Sequence, residues 1–336
     1  MKAMVLRGIS TVEKEPLEPM DLPVPVPEPK EILIRVSACG VCHTELDEIE
    51  GRLKPNLPII LGHEVVGRVE RLGSEAKRFG LGDRVGIAWI HSACGKCRFC
   101  QEGNENLCSE FRGTGCHSNG GYSEFTVVNE EFAYPIPGRF SDMEAAPLLC
   151  AGAVGYRNLR LSGIRKGQSL GLFGFGASAH IVIQIARYWG CEVFVFTRGE
   201  EHRALSKKLG AAWAGGPEDE PPKKLQSAID FTPVGETVPR ALKALDKGGR
   251  LVLAVIRKRN VIPPLDYTRH LWDEKEVKSV ANITRKDAQD FLLLSAEIPI
   301  IPEVQAFKLE EANKALISLK QGMIQGAGVL RMNDSA

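Results

Sequence analysis

The sequence has no apolar run long enough to cross a bilayer. Stretches such as Leu251–Ile256 fall far short of the about 20 residues a spanning helix needs. Its start, Met-Lys-Ala-Met-Val-Leu-Arg, shows neither a long apolar region nor a signal-peptide cleavage pattern. Charge of one sign is also missing. The net charge is +1, which gives no reason to expect nucleic acid or an anionic membrane as partner. Internal repeats and low-complexity runs are absent. With 43% hydrophobic and 25% charged residues, the composition is that of a globular chain rather than a disordered one, and with neither a spanning run nor a signal pattern the expected location is cytoplasmic. A length of 336 residues exceeds one ordinary core and predicts two domains.

What the chain does have is cysteine, and it is grouped. Of nine cysteines, Cys39 and Cys42 form one cluster, and Cys94, Cys97, Cys100 and Cys108 another. In a cytoplasmic protein such grouping favours metal over disulfides. Cys116, Cys150 and Cys191 stand alone, and a lone cysteine is by default an inert buried residue.

The first part of the chain reads as a compact, mostly β domain. Pro23, Pro25, Pro27 and Pro29 make an extended lead-in to a strand at Glu31–Val36. Further short strands are expected at Val65–Arg71, Asp83–Ala88 and Tyr122–Val128. Near Ala151 the pattern changes to apolar strands alternating with amphipathic helices. Strands are predicted at Ser169–Phe173, Cys191–Phe196, Ile229–Phe231, Arg250–Ile256 and Val277–Ile283. Helices are predicted at Ser178–Trp189, Glu200–Leu209 and Val238–Leu245. Val193 to Phe196 are all apolar, as a strand buried on both faces requires. This is a doubly wound parallel sheet. The tail offers helices at Arg285–Glu297 and Glu310–Lys320 and a strand at Gly328–Leu330. The expected division is a dinucleotide-binding domain over 151–284, and a second domain over 1–150 completed by 285–336. The active site is expected at the carboxyl ends of the strands.

Three motifs carry chemistry. Gly174-Phe-Gly176-Ala-Ser-Ala179 follows an apolar strand and opens a helix. Gly174 allows the tight turn, Gly176 leaves room for a pyrophosphate, and Ala179 lets helix and strand pack closely. The next strand ends at Phe196-Thr197-Arg198, with no acid for the ribose hydroxyls. A hydroxyl and a guanidinium accept a 2′-phosphate that a carboxylate would repel, so NADP is favoured over NAD. Cys94, Cys97, Cys100 and Cys108 have the spacing of a closed, structural zinc site with four thiolates. Cys42-His43-Thr44-Glu45, Gly62-His63-Glu64 and Cys150 form a looser constellation. Two thiolates and an imidazole would leave zinc an open position, but spacing alone does not choose between Cys39, Cys42 and Cys150 as ligands.

These motifs, with Asn119-Gly-Gly-Tyr122 and Leu149-Cys150-Ala-Gly152, occur in an order that resembles the zinc-containing medium-chain alcohol dehydrogenases. The likeness covers nearly the whole chain and is nearest to the cinnamyl-alcohol-dehydrogenase-like branch. It implies a GroES-like catalytic domain beside a Rossmann domain, two zinc ions, a small alcohol or aldehyde substrate, and a homodimer or homotetramer. By that likeness Cys42, His63 and Cys150 hold the catalytic zinc and Cys39 does not. Glu64 would be a nearby carboxylate or an alternative ligand, Thr44 would take the alcohol proton, and His43 would touch the pyrophosphate. Trp89 would narrow the substrate pocket.

Three positions depart from the family pattern. Glu45 replaces an aspartate and is expected still to orient His63. Asp47 replaces the histidine of the proton relay, leaving Asp47 or water as the route. Ala327 replaces an arginine that touches the pyrophosphate. A polyol or amino-alcohol dehydrogenase, a non-catalytic nicotinamide-binding protein and a zinc-ribbon interaction protein are the competing readings. The retained ligand triad argues against the second, and the glycine turn against the third.

Overall fold

A computed structural model describes residues 1–332, and the chain divides into two compact units. The first comprises Met1–Cys150, Ile283–Ala296 and the segment from Ile301 onward; the second comprises Ala151–Asn282 and Glu297–Ile300.

The first unit is built on a mixed sheet. Its strands run in the order Ala133–Pro135, Arg84–Ile87, Val65–Leu72, Glu31–Val41, Ala327–Arg331 and Val304–Lys308. Phe125–Asn129 also pairs with Glu31–Val41. That central strand runs five residues past the expected Val36, because it is paired on both sides up to Cys39 and Gly40. The segment expected as Tyr122–Val128 pairs only from Phe125, since Gly120, Gly121 and Tyr122 instead bond to the backbone of Ile60, Gly62 and Leu61. Ile32, Leu33, Ile34, Val65, Val85 and Ile87 are fully buried, a continuous apolar centre. Ala327 is likewise buried, at the start of its strand.

The second unit holds a six-stranded, all-parallel sheet. In space its strands run Trp213–Gly215, Glu192–Phe196, Ser169–Phe173, Leu225–Asp230, Leu245–Leu253 and Glu276–Ser279. Counted along the chain this is 3-2-1-4-5-6, the doubly wound order of dinucleotide-binding sheets. Val193 to Phe196 are buried on both faces, and Phe173 stacks on Phe196 with ring centroids 4.1 Å apart. The helices Ala177–Tyr188, Glu200–Lys208 and Thr237–Ala244 lie within a residue of their expected bounds. Gly210 ends the second of them with φ +92°, a left-handed turn that glycine adopts without cost. The last strand stops at Ser279, short of the expected Ile283, and Ile283 belongs to the first unit. Among the described residues no helix is long and apolar enough to cross a membrane.

Candidate active site and coenzyme turn

The looser constellation is drawn together by strand register. Glu31–Val41 and Val65–Leu72 are antiparallel, with Cys39 opposite Val65. The chain leaving the first strand toward Cys42 therefore runs beside the chain entering the second from His63 and Glu64. Two glycines make the approach close enough. At Gly62 φ is +95°, and a Cβ there would lie 2.4 Å from the Tyr122 ring and 2.7 Å from the Cys39 sulfur. At Gly40 a Cβ would lie 1.9 Å from Glu64 Oε2. Neither position accepts a side chain without displacing these groups.

The donor atoms of Cys42, His63, Glu64 and Cys150 all lie within 4.8 Å of one another. The Cys42 and Cys150 sulfurs are 4.0 Å apart. Zinc–sulfur bonds of about 2.3 Å at a tetrahedral angle place two sulfurs about 3.8 Å apart, so the pair has the spacing of two ligands on one ion. His63 is fully buried. Its Nδ1 lies 2.6 Å from Glu45 Oε1, while its buried Nε2 has no protein partner. An imidazole anchored through one nitrogen and unsatisfied at the other has the arrangement of a metal-binding histidine. Glu45, also fully buried, accepts the Cys42 backbone N–H through its second oxygen at 2.8 Å. One carboxylate thus fixes two of the three expected ligands.

The electrostatics suit a cation. The hydrogen bond to Cys150 holds Cys42 well below the usual thiol range against the opposing effect of burial, and His63 adds to it. The same bond, with burial, pushes Cys150 well up. The pair therefore shares a proton that a divalent ion would displace. Burial works against a charged His63, but Glu45 and Cys42 outweigh it and hold its pKa well above the usual value. Burial also raises Glu64, and the Cys42 charge adds to that.

Around this cluster, Thr44 is buried with its hydroxyl 3.6 Å from the Cys42 sulfur. Trp89 sets its ring edge-on to His63 at a centroid distance of 5.2 Å, and Phe111 follows at 6.0 Å. Cys39 is buried against Gly62 and Gly121 and is outside the donor cluster. His43 is exposed at the first position of its helix. Asp47 does not present a free carboxylate, because Arg52 Nε binds it at 2.5 Å. One further acid in this region carries no signal in the sequence. Glu48 is fully buried, neither of its oxygens has a protein partner, and burial, reinforced by Glu45, pushes its pKa well up. On a short helix flanked by charged residues it gives no outward sign of burial.

Cys94, Cys97, Cys100 and Cys108 place their sulfurs within 4.8 Å of one another. Cys94 and Cys100 are 3.9 Å apart, and the Cys97 N–H points to the Cys94 sulfur at 3.4 Å. Backbone N–H groups of Lys96 and Cys97 lower Cys94 to about 6. Backbone donors stabilise a thiolate in this way before any ion binds.

In the second unit, Gly174 has φ +86° and its N–H bonds Phe196 O at 2.8 Å. A Cβ on Gly176 would meet nothing within 4 Å. That open space fronts the uncapped N-terminus of the helix Ala177–Tyr188, where free N–H groups and the helix dipole suit a pyrophosphate. Ala179 is fully buried. Thr197 is buried at the end of its strand and Arg198 is exposed. Arg203 clips their two carbonyls at 3.0 Å each.

Comparison with known proteins matches both halves. The profile of the alcohol dehydrogenase GroES-like domain matches residues 28–138, and that of the zinc-binding dehydrogenases matches residues 179–296. The chain is 45% identical over 336 residues to the Mycobacterium tuberculosis protein named "Probable alcohol dehydrogenase AdhA", covering 98% of this chain and 97% of that one. A solved NAD-dependent alcohol dehydrogenase matches with a TM-score of 0.92 at 26% identity, over 99% of this chain and 100% of that one. The CAD of Helicobacter pylori, complexed with NADP(H), matches with a TM-score of 0.88 at 25% identity over 100% of both chains. The chain therefore belongs to the alcohol dehydrogenase family of zinc-binding dehydrogenases, an oxidoreductase family with a GroES-like half and a Rossmann half, and resembles its cinnamyl-alcohol-dehydrogenase-like branch.

Proposed function

We propose that this protein is a zinc-dependent alcohol dehydrogenase. It moves hydride between a primary alcohol or its aldehyde, aliphatic or aromatic, and a nicotinamide coenzyme. The observation that carries the reading is His63, whose Nδ1 is engaged by Glu45 and whose Nε2 is left for an ion beside the Cys42 and Cys150 sulfurs. Cys42, His63 and Cys150 would hold the catalytic zinc, with Glu64 as an alternative donor. Cys94, Cys97, Cys100 and Cys108 would hold a second, structural zinc. When bound, the catalytic zinc supplies Lewis acidity toward the substrate oxygen and the nicotinamide supplies the hydride acceptor or donor.

The chain's own groups do the rest. Glu45 fixes the tautomer and ring plane of His63. Thr44 receives the proton of the substrate hydroxyl and hands it to water. Asp47, ion-paired to Arg52, positions the helix rather than carrying that proton. Trp89 forms an aromatic wall beside His63 and favours apolar substrates over polyols. The N-terminus of the helix Ala177–Tyr188, opened by Gly174 and Gly176, binds the pyrophosphate. Thr197 and Arg198 favour NADP(H), and NAD(H) is the alternative. The assembly is a homodimer or homotetramer.

A steady-state screen of aldehydes with NADPH and NADH, alongside zinc analysis, tests the whole reading. It is expected to give two zinc per chain and faster turnover with NADPH; zinc-free, fully active protein would end it. Thr197→Asp is expected to move the kcat/KM ratio toward NADH by about tenfold, the worth of one charged contact. An unchanged ratio would remove the argument for NADP.

A further inference from the structure

A buried ion pair sits under the glycine turn, and the proposed chemistry makes no use of it. Asp230 is the last residue of the strand Leu225–Asp230 and its carboxylate is fully buried. In the parallel register it lies opposite Phe173, the residue immediately before Gly174. The carboxylate accepts from the Thr232 N–H at 2.8 Å, from the Thr232 hydroxyl at 2.7 Å and from Lys258 Nζ at 2.5 Å. The lysine also donates to Thr232 O at 2.7 Å, and its side chain is only 11% exposed. Thr232 packs against the turn, where a Cβ on Gly174 would lie 3.1 Å from the threonine methyl. The strands of Phe173 and Asp230 are the first and fourth along the chain, so the pair sits where the sheet's winding reverses and where dinucleotides bind such sheets.

A bare carboxylate is the wrong charge at that place. Two phosphate groups brought to the helix N-terminus would face it across a low-dielectric floor, where charges are poorly screened. Burial raises the pKa of Asp230, and Lys258 opposes that rise. We propose that Lys258 is a coenzyme-positioning residue: its ammonium cancels Asp230 beneath the Gly174 turn and ties Thr232 against it, so that a dinucleotide meets a neutral, fixed floor. The inference rests on the dinucleotide reading of that turn and adds a residue to it. Lys258 lies beyond the fingerprint, in the loop after the fifth strand, and no spacing in the sequence points to it.

An ion pair that only holds the fold together suffers alike whichever partner is lost. A pair that sets the charge under a phosphate site does not. The test is the dissociation constant of NADPH and of NADH, measured by coenzyme fluorescence on the zinc-loaded protein, together with the melting temperature of each variant. Lys258→Met leaves a buried negative charge and is expected to raise the constant tenfold or more. Asp230→Asn leaves a positive charge and is expected to leave it unchanged or lower it, although both substitutions lower the melting temperature. The double variant is expected to return to within about threefold of the unsubstituted protein. Equal weakening by the two single substitutions, or an unchanged constant in Lys258→Met, would overturn the proposal. If Lys258→Met does not fold, Lys258→Gln, which keeps a hydrogen-bond donor but carries no charge, takes its place: a constant raised tenfold or more supports the proposal, and an unchanged one overturns it. If the unsubstituted protein binds neither coenzyme, the dinucleotide reading itself falls, and this inference with it. Normal binding there beside an unaltered Lys258→Met removes this inference alone.

Discussion

The two cysteine-rich centres of the first unit use similar donors but are built in opposite ways. Cys94, Cys97, Cys100 and Cys108 come from one short loop, and three of the four are partly exposed. Cys42 and Cys150 stand 108 residues apart, and His63 reaches its carboxylate across 18 residues. The loop has little of its own core to hold it, so an ion there would supply the order that packing does not. In the other centre, strand register brings Cys42 beside His63 and Glu64, and their donors lie with that of Cys150 within 4.8 Å of one another. A metal that builds its surroundings acts on stability, and one that enters a prepared site acts on chemistry.

That contrast can be broken by substitution. Cys42→Ser is expected to lower kcat by about a thousandfold or more, the worth of several kcal/mol of lost charge stabilisation. Zinc content should fall to one per chain with little change in melting temperature; full turnover with two zinc ions would remove Cys42 from the ligand set. Cys97→Ser should also leave one zinc but act the other way. Its melting temperature should drop by about 10 °C, from a loss of several kcal/mol, while the folded fraction keeps its turnover. An unaltered melting curve would erase the distinction between the centres. Glu45→Gln sharpens it, because it removes the carboxylate that orients His63 and bonds the Cys42 N–H. Zinc affinity of the assembled centre should weaken by about 10- to 100-fold, measured by competition with a chelator, while the four-cysteine site is untouched. Asp47→Asn should change kcat by less than about threefold, since its carboxylate is already taken by Arg52. A tenfold loss would return Asp47 to the proton route.

The same contrast explains what could be read from the sequence. The four-cysteine site was visible because its geometry is local, and so was the glycine turn, where strand, turn and helix are consecutive. The helices of the second unit were placed within a residue because periodicity and end signals agree. The assembled centre needed the family resemblance to choose among Cys39, Cys42 and Cys150, because a register between distant strands leaves no mark on spacing. Glu48 and the Asp230–Lys258 pair were invisible for the same reason. Nothing local tells a charged residue on a helix or in a loop that it will be enclosed. The strand from Glu31 extends past Val36 without a mark in the sequence, because Cys39 and Gly40 look like loop residues until Leu330 and Val329 pair with them.

Glu45 carries a consequence of its own. The carboxylate that steadies the His63 ring also receives the first N–H at the mouth of the helix His43–Ile49. Imidazole and helix mouth are thereby joined through a single side chain. With zinc bound as proposed, loosening at the ion would be felt as fraying there, and hydrogen exchange at the Cys42 amide would gauge metal occupancy with no substrate present.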